Sequence, residues 1–119
     1  METIKSYTDL EQSKKLAEIL ALESADYHYI TQGETAYVYP YTLSSDAIEQ
    51  YKNIKYIPCW SLTALLNILD FPALTQEDEN EWEVCVRDYN NDEYIEIKAT
   101  SPVDAAFETI LKLNELNLL

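Results

Sequence analysis

Glycine occurs once in these 119 residues, at Gly33. A phosphate-cradling loop needs several glycines, so nucleotide binding of that kind is excluded. Helix ends must then close with Asn, Glu or Lys at the position glycine usually takes. Histidine also occurs once, at His28, so a general base or a metal site must use it or do without. Cys59 and Cys85 are the only cysteines; with one histidine they are too few for a zinc centre, and they allow at most one bridge. Bases are scarce as well: 8 Lys and Arg stand against 22 Asp and Glu, a net charge of −14. Nucleic-acid affinity comes mostly from Lys and Arg neutralising phosphates, so neither DNA, RNA nor an anionic membrane surface is an expected partner. Solubility, a basic protein partner or a cation remain.

The opening Met-Glu-Thr-Ile-Lys-Ser lacks a basic stretch followed by an apolar one. No secretory leader is therefore expected, and a cytoplasmic location with two reduced thiols follows. The longest run with almost no charge, Ile57 to Leu69, is too short to span a bilayer and reads as the core helix around which the chain is organised. Ser61 is its N-cap, and Trp60 and Leu65 have the spacing of a hydrophobic staple. Leu62, Leu65, Leu66, Ile68 and Leu69 form the apolar stripe. Asp70-Phe71-Pro72 ends it, because the residue before proline resists the α region.

Thr8-Asp9-Leu10-Glu11 has capping-box spacing and predicts a first helix from Asp9 to Leu22, buried through Leu16, Ala17, Ile19 and Leu20. Around Gly33, aromatic and β-branched residues alternate and predict a hairpin. A loop of Thr31 to Gly33 sets Tyr27 opposite Tyr37, and any odd-length loop keeps Tyr27, Tyr29, Tyr37 and Tyr39 on one face. Pro40 ends that hairpin or marks an edge. Thr42 to Asn53 reads as a short capped helix at Ser44–Tyr51 or as a structured loop. Leu74 to Glu81 reads as an acidic connection. A second hairpin follows, with Trp82, Val84, Val86, Ile95, Ile97 and Ala99 on its buried face. A two-residue turn at Asn91-Asp92 pairs Val86 with Ile97, Tyr89 with Tyr94 and Arg87 with Glu96. The last helix starts at Ser101 and Pro102, with Asp104 near its positive end, and buries Val103, Ala106, Phe107, Ile110, Leu111 and Leu113. The order predicts an α+β fold, a single domain over residues 1–119: an antiparallel sheet of two hairpins with three helices packed on one face.

His28 in a strand reads as a structural histidine. A Cys59–His28 nucleophile pair lacks the positive surroundings that thiol activation needs. Asp88-x-Asn90-x-Asp92 opens like a calcium loop, but Glu93 stands at the glycine position and Ala99 at the bidentate glutamate. No cofactor, metal ligand or catalytic residue is assigned.

Two surface features stand out. From Glu77 to Glu96 the chain carries nine acids (Glu77, Asp78, Glu79, Glu81, Glu83, Asp88, Asp92, Glu93, Glu96) and one base, Arg87, a local charge of −8. This is a solvated sheet edge or a docking face for a basic partner. The tyrosines of the first hairpin, Tyr27, Tyr29, Tyr37 and Tyr39, continued by Tyr41, Tyr51 and Tyr56, are ordinary core or a contact face.

Ser24-Ala25-Asp26-Tyr27, Ile57-Pro58-Cys59-Trp60-Ser61-Leu62-Thr63-Ala64-Leu65-Leu66 and Pro102-Val103-Asp104-Ala105-Ala106-Phe107-Glu108 resemble a group of small uncharacterised proteins from gut-anaerobe genomes, their prophages and other mobile elements. The resemblance implies a shared fold but no activity, and carries over no site residue. The function expected is a small acidic, non-enzymatic interaction protein, associated with phage or mobile elements. Alternatives are an inhibitor or immunity-like protein mimicking nucleic acid toward a basic partner, and a small enzyme using Cys59 with His28 or a carboxylate. A homodimer burying the tyrosines or Leu116, Leu118 and Leu119 is a further option.

Overall fold

Asp9, rather than Thr8, caps the first helix. In the computed structural model, which describes residues 4–32, 35–36 and 55–119, the Asp9 carboxylate accepts the Gln12 N–H at 2.8 Å, and the Gln12 side chain accepts the Asp9 N–H at 3.1 Å. This is a capping box one residue later than expected. The helix, α1, spans Leu10–Ala17 and buries Leu16. It stops short of Leu22, and Leu22–Ser24 forms a separate 3₁₀ turn.

β1 is Tyr27–Gln32 and β2 is Thr35–Ala36. Gln32 pairs with Thr35, so two residues separate the strands where a three-residue loop was expected. Thr31 continues the strand, as a β-branched residue favours, instead of opening the turn. Tyr37, Tyr39, Pro40, the Thr42–Asn53 segment and the glycine itself lie outside the described residues. β3, Lys55–Cys59, flanks β1 on the other side and gives the order β2-β1-β3. Among the described strands Pro58, which has no N–H to donate, thereby sits at the sheet edge.

Ser61 caps α2, Leu62–Ile68, accepting the Ala64 N–H at 3.2 Å. Trp60 and Leu65, the staple pair, are both fully buried. The backbone is already extended at Leu69 and turns through φ 48° at Phe71 before Pro72.

β4, Ala73–Asp78, occupies the segment expected as an acidic connection. It pairs with β5, Glu81–Asp88, which pairs with β6, Glu93–Ala99, in the order β4-β5-β6. Val86 lies opposite Ile95, and Arg87 opposite Tyr94. The turn therefore holds four residues, Tyr89 to Asp92, and the register differs by two from the expected one. A shift of two leaves every side chain on its expected face. Asp92 takes the positive φ, 53°.

Ser101 caps α3, Pro102–Glu115, with Pro102 in the first turn and the Asp104 N–H donated to the Ser101 hydroxyl at 3.1 Å. Its end closes through Asn117 at φ 58°: the Leu118 N–H reaches Leu113 O at 2.8 Å and the Asn117 N–H reaches Asn114 O at 3.1 Å. This is a Schellman motif with asparagine where glycine is usual.

The α+β class is as expected, but among the described residues the strands divide between two three-stranded antiparallel sheets, because β3 and β4 each extend one hairpin. One cluster joins the elements: Leu16, Trp60, Leu65, Leu69, Val84, Val86 and the buried residues of α3. α3 packs on β5, β6 and α2, while α1 lies against β3. Only Leu65 is buried within α2, whereas α3 buries eight residues. Among the described residues the hub is therefore α3, which packs on both a sheet and another helix. Lys5 ties the periphery together. Its ammonium donates to Asp104 at 2.9 Å, Gln12 at 2.8 Å and Asp9 at 3.1 Å. Partial burial opposes ionisation of Asp104, but Lys5, Gln12 and Ser101 outweigh it and hold the carboxyl below its usual range.

Candidate interaction surface

Strand alternation sorts the acidic segment into two faces. Leu74, Val84, Val86, Ile95 and Ala99 turn toward the core with α3. Thr75, Glu83, Cys85, Arg87, Tyr94, Glu96 and Lys98 occupy the opposite face. The register there sets Glu83 between Thr75 and Lys98, and Cys85 between Ala73 and Glu96. Lys98 reaches Glu81 at 3.3 Å. Interaction with the Glu77 carboxyl, partial desolvation and the nearby Glu96 push the Glu83 carboxyl above the usual range. Neighbouring carboxylates disfavour each other's ionised form, so this corner is crowded with negative charge. Glu77, Asp78 and Glu79 are exposed along the edge, as are Asp92, Glu93 and Glu96, whereas Glu81 and Glu83 are half-buried. Arg87 bridges to Asp92 and lies 5.2 Å from the Tyr89 ring centre. Asp88 turns inward and accepts from the Asn91 side chain at 2.7 Å and the Asn90 N–H at 3.0 Å. These bonds hold its carboxyl below the usual range. The residues that resemble the start of a calcium loop thus build a turn. Among the described residues, no group of three or more His, Cys, Asp or Glu is placed to hold a metal ion.

The tyrosines do not form one exposed ladder. Tyr29 is only 4% exposed and donates its hydroxyl to Thr8 O at 2.8 Å. It is core, and burial first, then the neighbouring Cys59, pushes its phenol well above the usual range. Tyr27 is half-buried, with its ring 6.3 Å from that of Tyr7.

Cys59 lies opposite Tyr27 and His28 opposite Pro58, so the two side chains of the considered dyad project to opposite faces of the ribbon. Cys59 is fully buried, its thiol donates to Thr8 O at 3.4 Å, and burial pushes it up. His28 stands edge-on to Tyr56 at 6.2 Å, and burial lowers its pKa. Cys85 is half-buried on the open sheet face. Under native conditions iodoacetamide is expected to alkylate Cys85 first, with Cys59 following only at the rate of global unfolding. Equal rates, read by intact-mass spectrometry, would overturn this placement.

A groove of about 310 Å³ opens where the end of α2, the β5–β6 turn and the segment after α3 meet. Its floor is Ile68, Leu69, Val86, Leu113 and Leu118, and Asp70, Asp88 and Tyr89 also line it. Phe71, next to it in the chain, is 87% exposed. Local pattern does not single out Phe71, since hydropathy alone assigns a phenylalanine to the interior.

No family model, curated protein or solved structure matches this chain.

Among the described residues no helix is long and apolar enough to cross a membrane.

Proposed function

We propose that this chain is a small cytoplasmic binding protein without catalytic function, associated with a prophage or other mobile element, whose acidic second sheet docks a basic partner protein. The association with mobile elements rests on the three segments that resemble such proteins. The docking reading is supported above all by the outer face of β4-β5-β6, where the register makes Glu83 and Glu96 diagonal neighbours and Glu77 on β4 is exposed at the edge beside them. Placing like charges together opposes folding slightly, and a cationic partner would relieve that repulsion. Two of the basic groups on this sheet, Arg87 and Lys98, are engaged with Asp92 and Glu81. Electrostatic docking of this kind acts through long-range attraction and is screened by salt.

The test is affinity capture from host lysate with the wild-type chain and with Glu77→Gln/Glu83→Gln/Glu96→Gln. One basic protein is expected to be retained at low salt by the wild type and lost with the triple variant, its affinity falling roughly tenfold or more between 50 and 300 mM salt. Recovery of the bait alone at low and moderate salt, or binding indifferent to salt, would overturn the proposal.

A further inference from the structure

Among the described residues β6 pairs with β5 on one side and no strand pairs with its other side. A row of backbone N–H and C=O groups is open along that edge. A groove of about 710 Å³ runs beside it, lined by residues 97–100 and by Asp104, Glu108, Leu111 and Glu115, one stripe of α3. Successive strand residues point to opposite faces, so a groove touching four in a row follows the edge. Ile95 and Ile97 lie directly opposite Val86 and Val84 on the core face, yet they stay half-buried where both valines are buried. The far edge of the sheet is better defended. The register of β4 shifts between Gln76 and Asp78, and Glu77 and Asp78 are exposed on it; irregularity and charge both discourage added strands. β6 instead runs seven residues in unbroken register with β5.

The charges of β6 select its complement. Two copies of one strand can pair antiparallel only about a residue, because opposite residues share both a hydrogen-bonding direction and a face. Centred on Glu96 the pairing sets two carboxylates together, and centred on Lys98 two ammonium groups. Centred on Ile95 it leaves Glu96 opposite Tyr94 and Glu93 opposite Ile97, with no charge matched. Centred on Ile97 it sets each Glu96 opposite Lys98 of the other copy, Ile97 opposite Ile97 and Ile95 opposite Ala99. Opposite charges then meet twice on the outer face, and apolar residues meet on the core face. Lys98 already lies opposite Glu83 on β5, so the row across the junction alternates in sign. The chain's charge of −14 opposes association, but the β4 acids end five strand spacings from their copies. At ~4.8 Å per spacing that is about 24 Å, well beyond the ~8 Å screening length at physiological salt.

We propose that a second copy of this chain pairs with β6 about a two-fold axis at Ile97, joining two sheets into one of six strands. Both copies of α3 then lie on the same face, and the groove beside each is closed by the other subunit. This dimer buries neither the tyrosines of the first hairpin nor the carboxyl-terminal leucines. It does not depend on the docking reading, and it leaves the outer face of the sheet open.

Sedimentation equilibrium of the full chain, from micromolar to submillimolar concentration, tests the proposal with three charge variants. The wild type is expected to approach twice the 13.8 kDa mass of one chain. Glu96→Lys and Lys98→Glu are each expected to weaken the dimer roughly tenfold or more, since like charges then face each other at two symmetric places. Glu96→Lys/Lys98→Glu restores the opposite signs and is expected to return the dissociation constant close to the wild-type value. Both positions are exposed, so melting temperatures near that of the wild type are expected throughout. A wild type that stays monomeric over the whole range would overturn the proposal. A dimer indifferent to the single reversals would place the interface elsewhere, and one that the double exchange fails to restore would refute the register; either result overturns it as well.

Discussion

Trp60→Ala is expected to destabilise the protein by about 3 to 5 kcal/mol, against the 5 to 15 kcal/mol typical of a whole domain. Trp60 is the largest fully buried side chain and sits in the cluster that joins α1, α2, α3 and β5. Its removal opens a cavity that surrounding helices and strands can fill only in part. The indole N–H also donates to the Ser24 hydroxyl at 2.9 Å, so the 3₁₀ turn would lose its tie to the core. Trp60→Phe keeps most of the volume and is expected to lose only about 1 kcal/mol, the net value of the hydrogen bond. Urea unfolding followed by circular dichroism separates the two variants. An alanine variant within 1 kcal/mol of wild type would show that this tryptophan is not at the centre of the core.

The second large effect is expected at Thr8, where the change in volume is negligible. Its fully buried hydroxyl accepts the Trp60 N–H at 3.2 Å, shares a hydrogen bond with Ser13 at 2.8 Å and lies 3.6 Å from the Cys59 sulfur. Its backbone completes the knot, donating to Trp60 O at 2.9 Å and accepting from Tyr29. Thr8→Val preserves the shape and strands the Trp60 N–H and the Ser13 hydroxyl in a dry interior, so a loss of about 2 to 3 kcal/mol follows. Thr8→Val/Ser13→Ala removes one of the stranded groups with its partner, and should be less destabilised than the sum of the single variants. Strict additivity in urea unfolding would mean that the two hydroxyls do not interact.

Thr8 also shows how much a sequence conceals. Thr-x-x-Glu spacing announced a helix start correctly, but two overlapping caps were available, and the choice between them was made by tertiary structure. Thr8 was needed in the core, so Asp9 took the cap. Helix starts at Ser61 and Ser101 were legible because Trp60, a poor cap, precedes Ser61, and a proline suited to the first turn follows Ser101 and so selects it over Thr100. The faces of the second hairpin were legible from alternation, while its register was not: Asn91-Asp92 suits a tight turn locally, yet four residues were used. β4 escaped notice because Ala73-Leu74-Thr75-Gln76 buries only one side chain in part, and an edge strand without an apolar face resembles a loop. The acidic patch was visible as composition. Its concentration on an open face, the burial of Tyr29 and the groove beside Phe71 depend on contacts between distant segments, which no local pattern records.

The Lys5–Asp104 contact joins positions 99 residues apart. During synthesis, at roughly 5 to 20 residues per second, the amino-terminal segment must therefore wait for nearly the entire chain before its ammonium group meets this carboxylate. Trp60 and Leu16 likewise have no Phe107 or Ile110 to pack against until α3 has left the ribosome. The residues before α3 therefore emerge with their apolar side uncovered, and the −14 charge keeps such chains apart until α3 closes the core.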